Sequence, residues 1–216
     1  MIFVTAEIGT NWQGNFATLE TMLRACKKSH VDAVKFQSLS KELIDRHPEL
    51  TYYKDASLND SNYRQISDMC DSYDLEFYTT ITEPIEFDFN MDRVKIRSAD
   101  SNNKALIKFA LASFNQVIIS SLKPLTKHNV RIKNLYCIPR YPVEYGEINF
   151  QSMLLFDGYS NHCKNPLAIL KAIKKHIKLL EFHITADPNS FCIDNSVSFN
   201  LTELQELMKW IRKYEN

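Results

Sequence analysis

Eight short runs rich in β-branched and aromatic residues punctuate this chain, near 2–7, 33–37, 76–80, 93–97, 116–120, 132–137, 157–160 and 179–185. Between most of them the apolar residues recur at helical spacing. Examples are Leu19, Met22, Leu23 and Cys26; Leu106, Phe109, Ala110 and Ala112; and Leu167, Leu170, Ile173 and Ile177. Strands alternating with helices read as parallel βαβ units, and eight such units close a (β/α)8, or TIM, barrel. The 216 residues therefore form one domain, with no low-complexity segment or linker to divide it. An eighth of the chain is about 27 residues, which is compact for this fold. Two connections look trimmed: Leu122 to Asn129 is too short for a full helix, and Pro84 to Asn90 offers a turn or two. The longest connection, Ser38 to Asn59, is expected to be a mobile loop over a site.

Charge narrows the partners. Lys plus Arg equals Asp plus Glu at 26 each, so no global field recruits nucleic acid or a membrane surface. Any anion must be caught by local charges in a pocket. Met1 to Glu7 carries no basic start of a signal peptide, and nothing approaches a membrane span of about 20 apolar residues. The five cysteines, Cys26, Cys70, Cys137, Cys163 and Cys192, are odd in number and lack a C-x-x-C pair. Reduced thiols in the cytosol are the expectation.

Polar residues gather where the strands end. Residues two apart in a strand share a face, and catalytic groups of such barrels collect at the C-terminal rim. Strand one offers Thr5 and Glu7, strand two Lys35 and Gln37, and strand three ends at Thr79-Thr80. Strand four gives Lys95, then Ser98 and Asp100, and strand five ends at Ser120-Ser121. Strand seven pairs Ser160 with His162, and strand eight pairs Glu181 with His183.

Each group also has a structural reading. Lys35 can be an ion-pair partner of Glu7 or Asp100 as readily as a substrate ligand, since an unpaired buried ammonium is costly. One strand-end histidine is ordinarily structural. Two on consecutive strands suit a divalent transition metal, completed by Glu7, water or substrate. Ser98, Ser120 and Ser160 can each cap a strand, whereas three hydroxyls beside two lysines make a phosphate or carboxylate cradle. His30, His176, His47 and His128 read as structural, as do Tyr52, Tyr53 and Trp210. The run Lys171, Lys174, Lys175 and Lys178 reads as a solvated helix face.

The segment Ala6-Glu7-Ile8-Gly9-Thr10-Asn11-Trp12-Gln13-Gly14 resembles the opening motif of the N-acetylneuraminate (sialic acid) synthase family. Four further segments continue the likeness in order: Asp32 to Gln37, Val94 to Asp100, Gly158 to His162, and Glu181 to Thr185. Asp194 and Ser198 fit its closing segment. The resemblance implies a metal-dependent condensation of phosphoenolpyruvate with an N-acylated hexosamine, typically N-acetylmannosamine, to give a nonulosonic acid and phosphate. By motif, His162 and His183 would hold manganese or magnesium. Lys35, Thr80, Lys95, Ser98, Ser120 and Ser160 would cradle phosphoenolpyruvate. Glu7, Gln37, Asp100, Tyr141 and Asp194 would face the sugar or the water, with Glu7, Asp100 and Lys35 as the catalytic set.

Departures from the pattern bear on the acceptor. Asp100 stands where the family usually has Glu, Asn161 replaces an Asp, Trp12 a His, Pro139 an Asn and Leu122 a Gly. The sequence given ends at Asn216, where the family continues into a C-terminal antifreeze-like (SAF) domain whose Arg grips the N-acyl group. A homodimer or a separate lid-supplying chain is therefore an expected partner. An active synthase with this or another aldose acceptor, a non-catalytic barrel that binds a ligand or protein, and a metal-dependent isomerase or aldolase remain open at this point.

Overall fold

The computed structural model describes residues 1–46, 51–125 and 129–215, the side chains of Thr51 and Tyr52 excepted. His47 and His128, read above as loop histidines, lie outside the described residues. Eight parallel strands close a barrel: β1 (Phe3–Glu7), β2 (Ala33–Ser38), β3 (Glu76–Ile81), β4 (Arg93–Ile96), β5 (Gln116–Ser121), β6 (Ile132–Tyr136), β7 (Gly158–Asn161) and β8 (Leu179–Thr185). Neighbours pair in chain order, and β1 closes on β8 with Glu7 opposite His183. A two-residue strand, β9 (Phe199–Asn200), extends the parallel edge of β8. Every expected strand is present within a residue or two. Gly158 is required for the closure, because a Cβ there would meet the Leu179 carbonyl at 2.1 Å.

Helices α1 (Phe16–Lys28), α2 (Lys41–Asp45), α3 (Thr51–Ala56), α4 (Tyr63–Ser72), α5 (Lys104–Ser113), α6 (Pro166–Ile173) and α7 (Leu201–Glu215) fill the connections. Their starts are written in the sequence. Asn15 Oδ1 accepts from the Ala17 and Thr18 amides, Asn103 from Leu106, Asn165 from Leu167 ahead of Pro166, and Asn200 from Thr202 and Glu203. The apolar face of α1, Leu19, Met22, Leu23 and Cys26, is wholly buried. His30 and His176 take left-handed backbone just past α1 and α6, where the chain turns into the next strand.

No helix covers β3 to β4. Phe87 and Phe89 fill that gap instead, packing on Tyr63, Phe77 and Phe114 with centroids 5.4–6.5 Å apart. The β5 to β6 gap is held by buried Asn134, which donates to the Ile119 carbonyl at 2.9 Å and accepts from the Leu125 amide at 3.0 Å. The Ser38 to Asn59 connection, expected as a mobile loop over a site, contributes Leu39 and Tyr53 to the cavity described below. It carries α2 and α3, and its far end is tied down by the Trp12 indole N–H to the Ala56 carbonyl at 3.0 Å and the Leu58 amide to the Gln37 carbonyl at 2.9 Å.

Candidate active site

Strand alternation aims Glu7, Lys35, Gln37, Thr80, Lys95, Ser120, Ser160, Glu181 and His183 into the barrel at its C-terminal end. They line a cavity of about 240 Å³ together with Arg97, Ser98, Cys137, Pro139, Tyr141, His162 and Asp194. Leu39, just ahead of α2, Tyr53 in α3, and Ile193 form part of the wall.

An ionic lattice forms its floor. Lys95 Nζ donates to both oxygens of Glu181 at 2.7 Å, and Ser160 Oγ donates to Glu181 Oε1 at 2.8 Å. Lys35 pairs with Glu7, lies 3.8 Å from Glu181 and donates to Thr80 Oγ1 at 2.7 Å. Burial opposes charge on Glu181, but Lys35 and Lys95 outweigh it and hold that carboxyl below its ordinary range. Burial lowers Lys95 even against Glu181, whereas Glu181 and Glu7 together outweigh burial at Lys35 and raise it. Glu7 is different. Burial, opposed by Lys35 and reinforced by Glu181 and Asp194, lifts its carboxyl to about 7. Asp194 rises to about 6, again through burial.

The turn after β1 brings these acids together. Gly9 has φ +52°, and a Cβ there would meet Asp194 Oδ2 and Glu7 Oε1 at 2.9 Å and Gln37 Nε2 at 3.1 Å. Its missing side chain is the space in which three polar groups converge. The next residues lock the β8 end in place: Asn11 Nδ2 donates to the Ile184 carbonyl at 2.7 Å and to Ser198 Oγ at 2.8 Å, and Ser198 Oγ donates to the Asp194 carbonyl at 2.7 Å.

The two histidines stand side by side at the ends of the adjacent strands β7 and β8, next to this cluster. Their ring centroids are 5.5 Å apart, and Tyr141 stacks on His162 at 4.2 Å. His162 Nδ1 meets the Ile138 carbonyl at 2.9 Å, which leaves Nε2 to the cavity. Burial lowers both imidazoles, His162 to about 4, so both stay neutral. His183 Nδ1 is buried without a hydrogen bond, 3.8 Å from Asp194 Oδ2. Two neutral imidazoles with an orphaned ring nitrogen are a donor set that fits a divalent transition metal. Among the described residues no three His, Cys, Asp or Glu converge as a closed metal site, so further ligands would come from water or substrate.

Of the residues given a catalytic, substrate or metal role by motif, Asp100 lies off the cavity wall, as do the strand-end hydroxyls of Thr5, Thr79 and Ser121. Asp100 closes a short 3₁₀ turn, Ser98–Asp100, and accepts from Arg97 Nε at 2.5 Å. Lys35, which could have paired with either acid, takes Glu7. Sequence reasoning passed over Arg97, Cys137 and the anchoring role of Glu181. Alternation did offer a signal, since Arg97 stands two residues beyond Lys95. Cys137 Sγ lies 3.8–3.9 Å from the His162 ring nitrogens, a placement that requires the β6–β7 register.

The NeuB family model matches residues 22–216. The chain is 25% identical to the N,N'-diacetyllegionaminic acid synthase of Legionella pneumophila, over 99% of this chain and 72% of that one. It is 24% identical to the human N-acetylneuraminate-9-phosphate synthase, over 99% and 70%. The crystal structure of an N-acetylneuraminic acid synthetase from Leptospira borgpetersenii superposes with a TM-score of 0.87 at 21% identity, covering 98% of this chain and 83% of that one. At that identity the superposition speaks for the barrel alone, while the family match speaks for descent. The chain thus belongs to the NeuB family, and its enzyme class is the sialic acid synthase class that the ordered motifs implied.

Proposed function

We propose that this chain joins phosphoenolpyruvate to the aldehyde of an N-acylated hexosamine of the N-acetylmannosamine type, giving a nonulosonic acid and phosphate, with a divalent manganese or magnesium ion on His162 and His183. One observation carries the reading: two buried ammonium groups and two neutral imidazoles open on the same cavity. Lys35, Lys95 and the hydroxyls of Thr80, Ser98, Ser120 and Ser160 supply donors to a phosphate and a carboxylate. Ser120 Oγ is buried with no hydrogen-bond partner, as a donor reserved for a ligand would be. When bound, the metal would supply Lewis-acid polarisation of the acceptor carbonyl.

The chain's own groups account for the protons. C3 of the enol attacks the aldehyde carbon, whose oxygen takes a proton and becomes a hydroxyl. Water adds at C2 and gives up a proton, and the resulting centre collapses to the ketone with release of phosphate. A carboxyl poised near 7 can serve in either form at neutral pH, and Glu7 is so poised. Gln37 Nε2, 3.4 Å from Glu7 Oε1, orients it. Glu181 remains an anion and spaces the two lysines.

All five cysteines are unpaired and buried, which supports a reducing compartment, and among the described residues no helix is long and apolar enough to cross a membrane. Ile193 and Tyr141 leave apolar surface at the mouth, which supports a cover from a second copy or a lid-supplying chain.

The test is phosphate release from phosphoenolpyruvate by the manganese-loaded protein, with and without acceptor. Release only with an N-acyl mannosamine or related aldose supports the reading. Manganese binding without release on any acceptor overturns it in favour of a binding barrel. His162→Ala and His183→Ala should each lose manganese binding by calorimetry while keeping the native circular dichroism spectrum.

A further inference from the structure

Arg97 is the third cation of the cavity, and the reaction as proposed does not use it. It follows Lys95 by two residues, so it shares the inward face of that chain segment one step nearer the mouth. Lys95 lies on the floor with a side chain only 2% exposed, whereas the Arg97 side chain is 39% exposed. Asp100 takes the Arg97 Nε, and that contact is the one hydrogen bond found for the guanidinium among the described residues. The Nη pair therefore remains as a fork, and its direction is fixed by a carboxylate on the same turn. Such a fork matches the paired oxygens of a phosphate or carboxylate.

In the proposed reaction the two floor lysines meet the anionic groups of phosphoenolpyruvate, which places that substrate beneath the acceptor. A cation above that level meets the other end of the acceptor. The wall that the sequence would line with the Asp100 carboxylate, an acceptor of sugar hydroxyls, presents a guanidinium in its place. We infer that Arg97, oriented by Asp100, selects acceptors bearing an anionic group at the end remote from the aldehyde. The inference rests on the condensation proposed above and names the substrate class for it. Arg97 is the specificity-determining residue, and Asp100 is a positioning residue.

The experiment compares kcat/KM for phosphate release with three acceptors: N-acetylmannosamine, its 6-phosphate, and the corresponding 6-carboxylate, N-acetylmannosaminuronic acid. At least one anionic acceptor should exceed the neutral sugar by tenfold or more, and the better of the two identifies the group. Arg97→Gln should bring that ratio to about one through the acceptor KM, with no change in the KM for phosphoenolpyruvate. Arg97→Lys should retain part of the preference, and Asp100→Asn should reduce it. Both side chains are partly exposed, so the variants should keep the native unfolding midpoint. A neutral sugar preferred by the wild type, or an anionic preference that survives Arg97→Gln, overturns this inference alone. Absence of release with all three acceptors overturns the condensation and the inference together.

Discussion

Lys95 Nζ stands 2.7 Å from both carboxylate oxygens of Glu181, a contact that spans the barrel from β4 to β8. The two side chains are 2% and 6% exposed. Two charges so placed have lost most of their hydration, and each depends on the other to offset that loss. Glu181→Ala strands Lys95 in a low-dielectric interior and also removes one partner of Lys35. The expected cost is about 3–5 kcal/mol of unfolding free energy. Urea denaturation near neutral pH measures it, and a loss below about 1 kcal/mol would mean the pair does not organise the floor.

Glu7 sets the second expectation. Its carboxyl is lifted to about 7 by burial, against the pull of Lys35. If it removes the proton from the attacking water, activity requires the ionised form. Then kcat/KM rises as pH passes about 7, well above the ordinary carboxylate range. Glu7→Gln should lower the rate by roughly 10²–10⁴-fold and remove that limb of the profile. A limb that persists in Glu7→Gln assigns it to another group.

Acid stability of the metal-free protein offers a third. Burial depresses His162 to about 4, so the unfolded chain binds a proton near 6.5 that the folded chain refuses. The stability tied to this group is whole above 6.5 and is lost as pH falls toward 4. Glu7 and Asp194, both raised, work in the opposite sense, so the effect is read by difference. Relative to His162→Gln, the wild type should lose about 3 kcal/mol between pH 7 and pH 4, because each tenfold drop in proton affinity is worth roughly 1.4 kcal/mol. Parallel stability curves for the two proteins would show that His162 is solvated.

Strand positions and inward-facing residues were legible because period-two alternation is a local signal. Lys35, Lys95, Ser160, His162, Glu181 and His183 could all be placed at the rim from their spacing alone. Which carboxylate meets which ammonium was not legible. Glu7 and Lys35 are opposite in the β1–β2 register, so proximity chooses Glu7. Asp100 is taken by Arg97, three residues away, before it can reach the cavity. The helices of the Ser38 to Asn59 connection were not legible, because the anchor of α3, Trp12, lies in a different βα turn. Cross-element contacts of this kind have no periodic signature.

Gly9 gives the last expectation, and it separates geometry from charge. Its φ of +52° costs a residue with a Cβ about 1 kcal/mol or more. The larger consequence is positional, because the new Cβ would sit 2.9 Å from both Glu7 Oε1 and Asp194 Oδ2. Neither oxygen lies on a freely mobile arm. Glu7 is held by Lys35, and Asp194 is held by Thr10 Oγ1 at 3.4 Å and by a segment tied to Asn11 through Ser198. Gly9→Ala must therefore shift one carboxylate away from the other. The expected result is a protein that still unfolds cooperatively, with a modest fall in midpoint. Its kcat falls far more than its affinity for phosphoenolpyruvate, because Lys95 and its Glu181 partner are untouched. Equal losses in kcat and in phosphoenolpyruvate binding would instead show that the substitution deforms the whole rim, and that Gly9 serves the fold rather than the placement of Glu7.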